Sequence, residues 1–313
     1  SSSFNYNKNW QMMSFSIGYN TYRDLSIENK TPESFNDLSE GLYKPYKYGD
    51  GPKINLNVNS RKFFGEGDRW YNSLMASYNM RASRGRDDYL LTMATDSTWL
   101  SSDMLKKTHG GIKHSVQLNA PQTFFQSLII NPRANIYEDW LFNHKFINKL
   151  EEEENVSSFK RRFTWDSAIS AKTTLYGLIP INLGKINSIR HVMTPVLSFS
   201  FRPDFSNSSY GGNSYFQKLN NDEHFDYFKN SYVGSTSSSE QKTYALSISN
   251  VFQTKKIDKN DEFKKANFLT WNSSISYDAV RDTLYHMTSD LWVKNFSGDE
   301  LMRIKMKHNF YKF

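Results

Sequence analysis

The chain has 313 residues, 38% hydrophobic and 16% aromatic, with 19 Tyr, 23 Phe, 7 Trp, no Cys and a formal net charge of +7. The aromatic content excludes disorder as a description of the whole, and the lack of Cys excludes disulfides and thiolate metal centres. The Lys and Arg are spread along the chain, without the clustered patch of a nucleic-acid binder, so no nucleic-acid partner is expected.

Taken in chain order, the first ten residues are polar and contain no apolar signal core. From Met13 onward, apolar and small polar residues alternate: Met13, Phe15, Ile17 and Tyr19 interleave with Ser14, Ser16, Gly18 and Asn20. Successive side chains of a strand point to opposite faces, so the alternation predicts a strand with one oily and one wet face. The same rhythm predicts about eleven strands, near 12–22, 53–61, 70–83, 109–119, 125–142, 159–181, 189–202, 242–254, 267–277, 284–294 and 301–311. Between them, polar connections alternate between long (23–52, 84–108, 143–158, 203–241) and short (62–69, 120–124, 182–188), and this alternation fades after residue 254. Gly65-Glu-Gly67 reads as a turn, and 203–241, rich in Ser, Asn, Gly and Tyr, reads as an exposed loop. A short helix is expected around Asp96–Lys107, capped by Ser101 or Ser102.

No run approaches the roughly 18 apolar residues of a membrane helix. A one-sided sheet with long and short connections in alternation is the pattern of an antiparallel up-and-down transmembrane β-barrel. The expected fold class is therefore all-β, a partial barrel in which residues 1–313 are part of one outer-membrane domain. By parity, Asn55, Asn57 and Asn59 oppose Ile54, Leu56 and Val58. Ser73, Ser77, Asn79 and Arg81 oppose Leu74, Ala76, Tyr78 and Met80, while Lys113 and Gln117 oppose Ile112 and Val116. These polar residues are the candidate lumen lining, suited either to bind sugars and phosphates or to serve as generic wet surface.

No catalytic, cofactor-binding or metal-ligating set is expected. The seven His show no metal spacing, and neither HExxH nor G-x-S-x-G occurs. His114 shares parity with Ile112, Val116 and Leu118 and reads either as a ring at an interfacial girdle or as a ligand or proton carrier. The acidic run Glu151–Glu154 reads as a solvated loop tip, or as a site for divalent cations. Pro132 and Pro195 interrupt predicted strands, where proline cannot donate to the ladder. They mark either a weak seam in the wall or a bulge or bend facing the lumen.

The stretch Ser188-Ile-Arg-His-Val-Met-Thr-Pro-Val-Leu-Ser-Phe-Ser-Phe-Arg-Pro-Asp-Phe205 resembles a signature of the LptD family, also called organic solvent tolerance proteins, in a divergent branch. The residues that carry it are Arg190, His191, Thr194, Pro195, Phe199, Arg202, Pro203, Asp204 and Phe205, preceded by Leu175, Tyr176 and Gly177. His109-Gly-Gly-Ile-Lys-His-Ser115 and Ile130-Asn-Pro-Arg-Ala-Asn-Ile-Tyr137 resemble the preceding hairpin of that family. The resemblance implies an outer-membrane barrel that places lipopolysaccharide in the outer leaflet without covalent chemistry. Sugars would pass through the lumen, and the lipid through a seam between terminal strands. Implied partners are lipopolysaccharide, a plug lipoprotein of the LptE type and periplasmic Lpt bridge proteins.

The chain departs from the family picture in showing no jellyroll domain and too few strands, which points to a piece of the barrel wall. The ending Tyr311-Lys-Phe313 resembles a barrel-assembly signal, though the strand count favours truncation. The alternatives are a porin or plugged-transporter barrel, and a soluble β-sandwich whose apolar rows would turn inward.

Overall fold

The computed structural model describes all residues except 24–44, 68, 91–103, 152, 184–185, 220–222, 258–262, 296–298 and 312–313. Its strands are Ser2–Asn9 (β1), Met13–Arg23 (β2), Pro45–Lys62 (β3), Met75–Leu90 (β4), Met104–Asn119 (β5), Gln122–Phe124 (β6) and Leu128–Leu141 (β7). There follow His144–Ile147 (β8), Glu153–Val156 (β9), Lys160–Lys172 (β10), Leu175–Leu183 (β11), Ile186–Arg202 (β12), Phe216–Lys218 (β13) and His224–Asp226 (β14). The last five are Gln241–Ile257 (β15), Phe263–Asp278 (β16), Thr283–Leu284 (β17), Met287–Lys294 (β18) and Glu300–His308 (β19).

One antiparallel sheet runs in the order β1-β2-β3-β4-β5-β7-β10-β12-β15-β16-β18-β19, so each long strand pairs with its neighbour in sequence. The sheet is open among the described residues, with β1 and β19 at its two edges. Two small hairpins, β8–β9 and β13–β14, stand apart from it. All eleven expected strands are present. β1 was not foreseen, because Ser2–Asn9 carries only Phe4 and Tyr6 as apolar residues. It pairs along its whole length with β2.

Register makes the two faces continuous across the sheet. On one face, Ile17 lies opposite Ile54, Ile54 opposite Ala82, and Ala82 opposite Ile112. Farther along, Ala171 faces Leu197, Leu197 faces Leu246, and Leu246 faces Ile275. No second layer covers these rows among the described residues: Leu197 is 56% exposed, and Phe163, Ile169, Tyr244 and Trp271 are exposed with it. Soluble proteins seldom leave more than a few hundred Å² of contiguous apolar surface in water. These rows are not the inward-facing core that the β-sandwich alternative requires. No described helix is long and apolar enough to cross a membrane.

Aromatic residues gather at both ends of the wall. At the short-turn end Phe63, Phe64, Trp70, Phe124 and Phe125 are exposed. Near the long-loop end His114 sits between Tyr78, whose hydroxyl lies 2.8 Å from Nδ1, and Trp140, 4.7 Å away ring to ring. Amphipathic rings collect at such levels because one end of each is apolar and the other wet.

Four local expectations are corrected. Trp70–Ser73 forms a turn of 3₁₀ helix before β4, because the Ser73 hydroxyl and the Leu74 N–H turn back onto the Trp70 and Tyr71 carbonyls. Ser73 therefore leaves the polar row. Of the helix expected over Asp96–Lys107, residues 96–103 lie outside the described residues and 104–107 open β5, held by the full β4 ladder.

The prolines make no bulge into the lumen. The Thr173 N–H donates to the Pro195 carbonyl at 3.3 Å, and the return bond is missing because proline has no N–H. The strand beside it therefore breaks between β10 and β11, yet resumes in register, with Lys172 opposite Val196 and Leu175 opposite Met193. Pro132 acts identically: the Ala120 N–H donates to its carbonyl at 3.1 Å, and β5 breaks and resumes as β6 without slippage. Both rings lie in apolar rows, Pro132 opposite Ile169 and Pro195 opposite Ile248.

The largest correction concerns 203–241. Its described residues form a folded cap, not an exposed loop. Among the described residues, six of the eight buried hydrophobic ones, Phe205, Tyr215, Phe216, Phe225, Phe228 and Val233, belong to it. The wall contributes Leu141 to the same cluster.

Candidate functional site

The polar face carries the candidate site. Asn55 lies opposite Arg81 and Arg81 opposite Lys113; Asn57 lies opposite Asn79; Ser77 lies opposite Gln117. Asn59 shares the face by its two-residue spacing from Asn57. The eight residues that remain of the parity row once Ser73 is removed thus stand on a single face, the one against which the cap folds. Asn55 donates to the Ser16 hydroxyl at 3.1 Å and Asn57 to Asn59 Oδ1 at 3.1 Å, so part of the row is self-satisfied.

Arg162 fastens the cap to the wall. On β10 it lies opposite Asp139 of β7, and the two side chains are both about 5% exposed. Nε and Nη2 donate to Asp139 Oδ2 at 3.1 and 2.6 Å. Nη1 donates to the Gly234 carbonyl at 3.0 Å and the Thr236 hydroxyl at 2.7 Å. Nη2 also donates to the Val233 carbonyl at 3.4 Å, and the guanidinium stacks 4.4 Å from the Phe228 ring centre, so one buried cation closes onto an anion, three cap oxygens and an aromatic face. Asp226 holds the cap itself together, accepting from the Thr236 N–H and hydroxyl and the Phe228 N–H.

Two further contacts complete the seam. β12 pairs with β10 only from Ser167 onward, so the upper edge of β10 lacks a strand partner there. The Tyr215 hydroxyl fills the gap, donating to the Phe163 carbonyl at 3.0 Å and accepting from its N–H at 3.2 Å. Gly111 lets the cap approach: a Cβ there would lie 2.5 Å from the Trp140 carbonyl oxygen and 3.1 Å from Val233 Cγ1.

The β8–β9 hairpin braces the cap from outside. The Gln217 amide exchanges two hydrogen bonds with the Ile147 backbone, at 2.9 and 2.8 Å. Lys145 and Lys229 both bind the Glu153 carboxylate and hold it below the usual carboxylate range. Glu153 is thus occupied by lysines, while Glu154 accepts from Asn148 at 2.7 Å. No group of metal-binding side chains is found among the described residues. Burial beside Tyr227 pushes the His144 ring below its ordinary value, against the opposing effect of its hydrogen bond to the Ser158 carbonyl.

Two cavities open on the polar face. One, of about 360 Å³, lies beneath the cap and is lined by Asn79, Arg81, Lys113, Tyr137, Arg162 and Val233, among others. The other, of about 610 Å³, spans β10 to β19 and is lined by Lys172, Thr194, Ser249, Asn272, Lys305 and Lys307, among others. Beside it Arg303 clamps Asp290 with two bonds of 3.1 and 2.6 Å, joining β18 to β19.

The signature residues do not converge on one site. Leu175, Tyr176 and Gly177 lie on β11, which pairs only with β12 and is exposed from Leu175 to Pro180. The Arg190 guanidinium stacks 4.7 Å from the Tyr176 ring centre. His191 stacks on Phe252 at 4.4 Å and its Nε2 lies 2.9 Å from Asn250 Oδ1. Phe199 packs against Tyr244 at 4.8 Å, and Thr194 lines the larger cavity. Arg202 leads into the cap with its Nε buried and unpartnered among the described residues. Pro203 and Phe205 are buried, and Asp204 Oδ1 accepts from the Ser206 N–H and hydroxyl, turning the chain.

Parity reasoning missed Asp139, Arg162, Thr236, Asp226 and Tyr215. A signal was present: Phe205, Tyr210, Tyr215, Phe216, Phe225, Tyr227, Phe228 and Tyr232 fall within one supposed loop. That aromatic density calls for a core.

The model of one protein family, described as LptD protein, matches residues 1–310. No curated protein and no solved structure was found to match. The chain, an all-β wall with one oily and one polar face, therefore belongs to the LptD family of outer-membrane β-barrel proteins, which serve lipopolysaccharide transport and are not enzymes.

Proposed function

We propose that residues 1–313 form part of one barrel wall through which lipopolysaccharide reaches the outer leaflet of the outer membrane. The polar face borders the aqueous path for the sugars, and the apolar rows face hydrocarbon. The observation that carries this reading is the sidedness of the sheet: uncovered apolar rows on one face, and a continuous polar row under a folded cap on the other.

The chemistry of transit is binding and release. The lining of Asn55, Asn57, Asn59, Ser77, Asn79, Arg81, Lys113 and Gln117 offers amides, hydroxyls and cations, which exchange hydrogen bonds with sugar hydroxyls and phosphates at small net cost. The lipid would leave sideways along the wall, supplied by periplasmic Lpt bridge proteins and with a plug lipoprotein of the LptE type in the lumen. Family membership supports these partners as classes.

Replacing the chromosomal gene with a depletable copy and measuring lipopolysaccharide at the cell surface tests the reading. Loss of surface lipopolysaccharide, with accumulation inside the envelope, is expected on depletion. Unchanged surface lipopolysaccharide together with lost small-solute uptake would overturn it in favour of a porin.

A further inference from the structure

We propose that Arg81 and Lys113, in the cavity beneath the cap, form a binding site for the anionic group of a single sugar, a phosphate ester or a carboxylate. This deepens the transport reading and rests on it for the origin of the ligand.

The argument begins with register. Arg81 on β4 and Lys113 on β5 are direct cross-strand partners in a ladder without a shift, so their side chains leave the same face side by side. Like charges placed directly opposite destabilise a sheet. Here no described carboxylate is left to neutralise them. Asp139 is the partner of Lys113 on the next strand, but its Oδ2 is committed to Arg162. Asp166, two rows away, accepts from Asn135 at 2.7 Å, and Glu138 points to the opposite face, paired with Arg161. Neither Arg81 nor Lys113 makes a hydrogen bond or ion pair among the described residues. The cavity therefore holds three cations, Arg81, Lys113 and Arg162, against one carboxylate, Asp139, an excess of two positive charges.

The surroundings fit a sugar. Asn79, Ser115, Tyr137 and Thr164 supply hydroxyls and an amide beside the cations, and Val233 of the cap closes the top. At about 360 Å³ the space lies at the low end of the ~300–1,000 Å³ range of small-molecule sites, enough for one sugar unit rather than a whole glycolipid. An arginine fork beside a lysine recognises phosphate or carboxylate oxygens.

The test uses the purified chain in zwitterionic detergent micelles at low salt, with calorimetry against glucose 1-phosphate, glucuronate and glucose. Glucose 1-phosphate or glucuronate is expected to bind well above glucose, and the preferred anion identifies the ligand class. Arg81→Gln and Lys113→Gln are each expected to weaken that binding about tenfold or more. Each is also expected to raise the melting temperature of the ligand-free protein by removing the repulsion, which separates a lost site from a lost fold. A control in the other cavity, Lys305→Gln, is expected to leave affinity unchanged. The proposal is overturned if glucose binds as well as both anions, or if Arg81→Gln/Lys113→Gln binds like the parent. Binding of the anions in micelles by a chain whose depletion leaves surface lipopolysaccharide intact would sink the transport reading and leave the site standing.

Discussion

The wall and the cap are built from the same residue types and use them in opposite senses. In the wall, Leu197, Ile169 and Tyr244 point outward and stay exposed, while polar residues line the inner side. In the cap, Phe205, Phe228 and Val233 turn inward onto Leu141, and polar side chains cover them or tie the cap down. The wall needs hydrocarbon as a solvent for one face, whereas the cap hides its apolar groups as a water-soluble domain does. The two meet at a buried ion pair, so the cap can be loosened without touching the ladders of the wall.

The sharpest break in this comparison is Arg162→Ala. It strands the Asp139 carboxylate and releases Thr236 and Gly234, and losing one partner of a buried pair costs about 3–5 kcal/mol. Limited proteolysis at Lys218 and Lys229 is expected to speed up sharply while the β-sheet circular dichroism spectrum is retained. Phe228→Ala should have a similar effect on the cap alone, since truncating a fully buried Phe costs about 3–5 kcal/mol; the same proteolysis assay reads it.

The wall answers to a different change. Leu197→Ala is expected to do little in detergent, whereas Leu197→Lys should oppose insertion by about 2–4 kcal/mol if its row lies at mid-bilayer, measured by folding into lipid vesicles. Equal losses in detergent and in vesicles would mean that the apolar rows pack against protein. Gly111→Ala strains both regions, because the added methyl meets the Trp140 carbonyl and Val233. A loss of about 1–3 kcal/mol is expected from overpacking of this kind, visible in thermal unfolding.

The smallest expected effect is on pH. His144 has a folded-state value below its ordinary ~6.5, so the folded cap disfavours the charged ring. Its contribution is fully present above that ordinary value and is lost as pH falls through the lowered one. Amide exchange at Ile147 should therefore quicken between pH 7.5 and 5 beyond its intrinsic rate, and His144→Gln should remove the difference.

Much of the wall was legible in advance because alternation is local. A strand between two media must put every second residue in each, so Ile54, Leu56 and Val58 announce their own face against Asn55, Asn57 and Asn59. β1 escaped because Ser2–Asn9 offers only Phe4 and Tyr6 as apolar residues, and its place is set by pairing with β2. The prolines were seen but their effect was misplaced: the missing N–H breaks the neighbouring strand, which only a cross-strand register reveals.

The sequence by itself determined the class of the protein, the positions of its spanning strands and the face each side chain takes, because these follow from neighbours one and two residues away. The tertiary structure alone decided that the described residues of 203–241 fold onto the wall, that Arg162 reaches both Asp139 and Thr236, and that Arg81 stands beside Lys113 without a counter-charge among the described residues. Those contacts join residues tens of positions apart, and only the packing of the whole sheet and its cap brings them within hydrogen-bonding distance or into register.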